Sequence, residues 1–189
     1  MKPSACSSRR ALLRLWLRAP GSLSRRIAAL GDRFEVQTLR QGPARLLPIE
    51  SHDVGATRSW VREVMLKLDG EPLVWARSVT PRDALAGPWR ALRGLGQRPL
   101  ADLLFADRRV HRTPLRREKL PRGGALQRRL ARQWEAATGN MPPRGMVWGR
   151  SSVFRRRRGP PLRVMEAFVP SLARVPPPTV SARIRAGRR

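Results

Sequence analysis

Two charged residues stand where strand periodicity calls for apolar ones. In L-V-W-A-R-S-V-T, Leu73, Trp75, Arg77 and Val79 alternate along the chain, and the two-residue period of a strand sends all four to one face. In L-R-V-M-E-A-F-V-P, Leu162, Val164, Glu166 and Phe168 share a face in the same way, and Glu166 is the only acid after Glu135. A guanidinium or a carboxylate among apolar side chains is costly unless an opposite charge answers it. An arginine can instead lay its stem on apolar surface and keep its head in water. Two mismatched opposite charges on apolar strand faces form either a structural buried ion pair or the two poles of a ligand pocket.

The elements around them can be read from period and punctuation. Trp60 to Pro81 reads as a hairpin, Ser59–Leu68 and Leu73–Thr80, turning at Asp69-Gly70, because Asp-Gly supplies the positive φ angles such a turn needs. Phe34–Leu39 alternates as a strand, and Gln41–Val54, with Gly42, Pro43 and Pro48, reads as irregular or strand-and-loop. Ala11–Leu17 has helical spacing, a second helix runs from Ser22 or Ser24 to Leu30, and Gly31 stops it. Two short helices split at Gly87-Pro88, and Pro99–Phe105 makes another. Arg108–Leu120 is a charged strand interrupted by Pro114, and Gly124–Ala137 is an arginine-rich helix with an apolar stripe of Leu126, Leu130 and Trp134. Strands at Met146–Arg155 and Leu162–Val169 flank the basic turn R-R-R-R-G-P-P. Hairpin strands with helices inserted between them indicate an α+β fold on an antiparallel sheet. A single domain over residues 1–171 is expected, with 172–189 a disordered, basic Pro/Arg-rich tail.

Composition narrows the function classes. The chain has 189 residues and a net charge of +27, and such a charge ordinarily points to nucleic acid or an anionic surface. Its form weakens that inference. Of 40 basic residues only Lys2, Lys67 and Lys119 are lysine, the arginines are spread along the chain, and the Arg155–Arg158 run lacks interleaved aromatics. Cys6 is the single cysteine and His52 and His111 the only histidines, so neither an internal disulfide nor a conventional zinc site can form. No apolar run is long enough to span a membrane. No acid precedes Asp32, which suits either an organelle transit peptide or an amphipathic helix of the fold. Gly94-x-Gly96 lacks the rest of a dinucleotide fingerprint, and no P-loop, Cys-x-x-Cys or nucleophile elbow is present.

A set of ordered motifs carries a resemblance to a known family. R-x-W-V-R-E-V at Arg58–Val64 and D-G-E-P-L-V-W-A-R-S-V-T-P at Asp69–Pro81 are followed by L-A-G-P at Leu85–Pro88 and L-G-Q-R-P-L at Leu95–Leu100. L-F at Leu104–Phe105, W-G-R-S-S at Trp148–Ser152 and M-E-A-F-V-P at Met165–Pro170 complete the series, and R-F-E at Arg33–Glu35 opens it. Over roughly residues 22–170 the chain resembles the chorismate pyruvate-lyases, which make 4-hydroxybenzoate for ubiquinone biosynthesis. The resemblance implies a six-stranded antiparallel sheet with inserted helices forming flaps. It implies that Arg77 binds the ring carboxylate, that Glu166 meets the ring hydroxyl, and that main-chain contacts fall at Leu30 and Leu115. It further implies a cytoplasmic monomer acting on chorismate with no cofactor and no metal, because aromatisation drives the elimination. Nucleic acid is not an implied partner. A non-catalytic sensor of small aromatic acids and an arginine-rich nucleic-acid-binding protein are the alternatives.

Overall fold

The computed structural model describes residues 5–56, 58–146 and 148–179. Among the described residues, five α-helices and seven strands follow in chain order: α1 (Ala5–Arg18), α2 (Leu23–Ala28), β1 (Phe34–Ala44), α3 (Pro48–Val54), β2 (Ser59–Leu68), β3 (Glu71–Pro81), α4 (Leu100–Ala106), β4 (Val110–Arg112), β5 (Arg116–Lys119), α5 (Ala125–Thr138), β6 (Trp148–Arg156) and β7 (Leu162–Phe168). Short 3-10 turns fill Asp83–Ala86, Arg90–Leu92 and Pro170–Arg174.

The strands make one antiparallel sheet in the order β1-β2-β3-β7-β6-β4, with β5 also paired to β6. The sheet therefore has seven strands where six were expected. The expected charged strand over Arg108–Leu120 is broken at Thr113-Pro114 into β4 and β5, because proline cannot donate to a ladder. The β2–β3 hairpin turns at Asp69 (φ 51°) and Gly70 (φ 84°), as Asp-Gly requires. Asp69 does more than turn: its Oδ1 accepts from the backbone N–H of Arg33 at 2.8 Å and so fixes the entry to β1.

One helix departs from the sequence reading, and another decides between alternatives it left open. Pro48 begins α3 inside a stretch read as irregular; proline at a first helical position sacrifices no hydrogen bond. Glu50 then caps the same helix, accepting from Leu47 N–H at 2.8 Å. At the N-terminal end, α1 belongs to the fold: Trp16 is fully buried, and its Nε1 donates to Val175 O at 2.8 Å. That bond also corrects the expected domain boundary, since Leu172 and Ala173 are buried and the chain stays packed past residue 171. The remainder of the expected tail, 180–189, lies outside the described residues.

The main core gathers Trp16, Ile27, Met65, Trp75, Trp134 and Phe168, and a second cluster around Leu85, Trp89, Leu92 and Leu162 closes the other end. No helix among the described residues is long and apolar enough to cross a membrane.

Candidate active site

Sheet register decides which charges meet. Across β2, β3, β7 and β6, one row of directly opposed residues is Arg62, Ser78, Val164 and Ser152, and the next is Val64, Ala76, Glu166 and Arg150. Directly opposed residues point to the same side of a sheet, so Arg62, Val64, Ala76, Ser78, Val164 and Glu166 share one face. Over this face lies a cavity, which those six residues line together with Leu66 and Arg112. Gly21, Leu23 and Ser24 from the α2 end, and Pro99, Leu104 and Phe105 from the α4 end, roof it. The edge-on contact between Phe105 and Phe154 shuts one side.

Arg77 is not in this cavity. Its neighbour Ala76 opposes Glu166, so alternation turns Arg77 to the opposite face. There its Nε donates to Glu50 Oε1 at 2.6 Å, Nη2 to Glu50 Oε2 at 2.9 Å and Nη1 to Glu63 Oε1 at 2.5 Å. Both glutamates are completely buried. Arg129 and Gln133 of α5 also donate to Glu63, at 2.7 and 2.5 Å. A second buried arginine, Arg163, is held by Asp53 and Glu118 on this same face. Of the two possibilities open for Arg77, the structure shows an ion pair, but with partners other than Glu166. The sequence expectation that Arg77 meets a ligand beside Glu166 is therefore corrected: two glutamates already occupy the arginine's fork.

Arg62 occupies the position in the cavity that Arg77 was expected to hold. It is 2 % exposed, and no carboxylate pairs with it among the described residues. Nη2 donates to the carbonyls of Gly96 (2.9 Å) and Arg98 (3.1 Å), while the buried Nε–H has no acceptor among the described residues. Burial without a counter-charge pulls its pKa down to about 10, still well above neutrality. A buried, charged and incompletely bonded guanidinium is a site for an anion.

Glu166 lies on the same floor. Its Oε2 accepts from Arg150 Nε at 2.6 Å, so a cation does answer it, while Oε1 has no partner among the described residues. Arg150 is itself buried and reaches past the sheet to the carbonyls of Trp16 (3.1 Å) and Ala19 (2.7 Å), at the C-terminal end of α1 where a cation is favoured. Its Nη2 is buried and also lacks a partner among the described residues. Gly149 makes room for the Glu166 strand: a Cβ there would lie 2.5 Å from Glu166 O. Among the described residues, Glu166 is the one carboxylate on the cavity wall. Arg62 and Glu166 are two strands apart and two residues out of step, about 12 Å between Cα atoms by strand geometry. Both line the one cavity, with Val64, Ala76 and Val164 supplying apolar floor around them.

Arg112 enters from β4, beyond β6. Its Nε donates to Ser152 Oγ at 2.9 Å and its Nη1 to Gly21 O at 3.2 Å. The guanidinium lies 5.3 Å from the centre of the Phe154 ring. Burial, opposed by the negative charge of Glu166 and aided by the positive charge of Arg150, lowers its pKa to about 10.

Leu30 and Leu115 do not border this cavity. Leu30 donates its N–H to Ile27 O at 2.9 Å and lines a separate groove with Leu68 and Trp134. Leu115 is half-buried in the link between β4 and β5. The leucines that line the cavity are Leu23, Leu66, Leu100 and Leu104. Sequence reasoning missed Arg62, Arg112 and Arg150. For Arg62 a signal existed: it alternates with Val64 and Leu66, just as Arg77 alternates with Trp75 and Val79.

Comparisons with known proteins place the chain in a family. The family model "Chorismate lyase" matches residues 1–168. The chain is 46% identical over 156 residues to a probable chorismate pyruvate-lyase of Albidiferax ferrireducens, covering 81% of this chain and 79% of the relative. It is 41% identical over 171 residues to a probable chorismate pyruvate-lyase of Aromatoleum aromaticum, covering 88% and 89%. Among solved structures, the effector domain of PhnF from Mycobacterium smegmatis superposes with a TM-score of 0.52 at 14% identity, covering 79% of this chain and 88% of that one, which shows a shared fold. With a family match over nearly the whole chain and relatives this similar, the protein belongs to the chorismate lyase family.

Proposed function

We propose that the protein is a chorismate pyruvate-lyase, which removes the enolpyruvyl arm of chorismate as pyruvate and leaves 4-hydroxybenzoate as a ubiquinone precursor. One observation carries the reading: the buried guanidinium of Arg62, with no carboxylate partner among the described residues, faces the lone wall carboxylate of Glu166 across an apolar floor. That spacing suits a ring with a carboxylate at one end and a hydroxyl at the other.

Arg62 would take the ring carboxylate through its free Nε–H and the adjoining Nη, with Val64, Ala76 and Val164 packing against the ring. Glu166, its Oε2 held by Arg150, would meet the C4 hydroxyl with Oε1 and remove the neighbouring proton on C4. The electrons of that C–H bond become a ring double bond. The C3–O bond breaks, and the enolpyruvate oxygen leaves with its electron pair. Protonation of the enol's methylene then gives pyruvate, so atoms and charge balance. Fixed cations around a largely apolar cavity stabilise the departing negative charge more strongly than water does.

The test is incubation of the protein with chorismate, with products resolved by chromatography. Equal amounts of pyruvate and 4-hydroxybenzoate are expected. A 3-hydroxybenzoate product would contradict the assigned orientation of the ring, and intact chorismate with bound 4-hydroxybenzoate would make the protein a sensor.

A further inference from the structure

We propose that Arg112 holds the second carboxylate of the substrate, the one on the enolpyruvyl arm, and that it thereby separates the affinity for chorismate from the affinity for its aromatic product. The inference rests on the lyase reading above.

The charges on the cavity wall do not balance. Arg150 is answered by Glu166, but Arg62 and Arg112 make no ion pair among the described residues. Two unmatched guanidinium groups around one cavity call for two negative charges on the ligand. Chorismate carries two carboxylates, and 4-hydroxybenzoate carries one.

Placement then assigns each carboxylate. Arg62 projects from β2, while Glu166 and Arg112 lie toward the β7–β6–β4 side. With the ring carboxylate on Arg62 and the C4 hydroxyl on Glu166, the arm attached at C3 starts beside Glu166, and on that side Arg112 is the cation that lines the cavity and makes no ion pair among the described residues. Its Nε and Nη1 are anchored on Ser152 and Gly21, which fixes the head and leaves Nη2 to donate. As the C3–O bond breaks, negative charge grows on the enolpyruvate, and Arg112 stabilises that fragment as it departs. Because Gly21 belongs to the roof, the same side chain also ties the roof to the arm it binds.

The experiment compares Arg112→Met with wild type, measuring KM and kcat for chorismate and, separately, the Kd of 4-hydroxybenzoate by calorimetry. The expected result is a KM raised roughly 10- to 100-fold, the worth of one hydrogen-bonded charge, with product Kd unchanged. Retained product binding also shows that the variant is folded. Arg112→Lys, which keeps the charge but loses the fork, should recover part of the KM. Wild-type activity together with a variant whose chorismate and product affinities move in parallel, or not at all, overturns the inference alone. Wild-type protein that neither turns over chorismate nor binds 4-hydroxybenzoate overturns the lyase reading, and this inference with it.

Discussion

Replacing Arg77 by methionine keeps the apolar stem and removes the cation at the centre of the buried network. Three charge-assisted bonds of 2.5–2.9 Å disappear. Glu63 keeps Arg129 and Gln133, but Glu50, fully buried, keeps only the backbone N–H of Leu47. Breaking a buried pair from one side costs about 3–5 kcal/mol, because the abandoned charge stays buried. For a domain of this size each kcal/mol lowers Tm by about 2–4 °C, so a fall of roughly 6–20 °C is expected. The loss should depend on pH with a definite sign. Burial pushes the Glu63 carboxyl up, but Arg129 and Arg77 outweigh it and hold it below its ordinary value. A depressed carboxylate contributes stability above its unfolded pKa of about 4.3 and loses it as pH falls through the folded value. The wild type should therefore lose stability steeply on acidification. With one of the two cations gone the variant loses less, and the gap between them narrows below that pH. Thermal unfolding followed by circular dichroism between pH 3 and 8 measures both. An Arg77→Met protein that unfolds with wild-type Tm at neutral pH would refute the reasoning, as would one of unchanged stability that no longer binds 4-hydroxybenzoate.

Two further substitutions probe the site itself. Glu166→Gln keeps the shape and the bond from Arg150 but cannot accept a proton, so kcat should fall about 10²–10⁴-fold; turnover near wild type would reduce Glu166 to a positioning role. Gly149→Ala drives a methyl against Glu166 O and Met165 Cε. Overpacking of this kind costs about 1–3 kcal/mol, and displacement of the Glu166 strand should lower kcat as well as Tm. An unchanged Tm would mean that the strands part freely at that point.

The local elements were largely readable from the sequence, while the site was readable only in half. Asp69-Gly70 announces its turn, and Leu126, Leu130 and Trp134 announce the buried face of α5, because both signals are local. The choice between Arg62 and Arg77 is not local. A bulge leaves Leu73 unopposed and moves the β2–β3 register by one, so that Arg62 opposes Ser78 and Arg77 opposes Glu63. A shift of one residue sends a side chain to the other face of its sheet, and nothing in the spacing of apolar residues marks that bulge. The pairing of Ala76 with Glu166 joins strands far apart in the chain, and period alone fixes no such register. Glu50 was hidden because Pro43 and Pro48 read as breakers, although the second of them begins the helix that delivers Glu50 and Asp53 to two buried arginines. Arg112 and Arg150 looked like members of a diffuse basic surface, since composition cannot tell a solvated arginine from one turned inward.

The most direct test sets Arg62→Met beside Arg77→Met in the same assay, chorismate turnover and 4-hydroxybenzoate binding, at a temperature where both variants are folded. With Arg62 as the anion-binding pole, Arg62→Met loses product binding and turnover, while Arg77→Met keeps both and is merely less stable. Activity that survives in Arg62→Met and vanishes in a folded Arg77→Met would contradict that assignment.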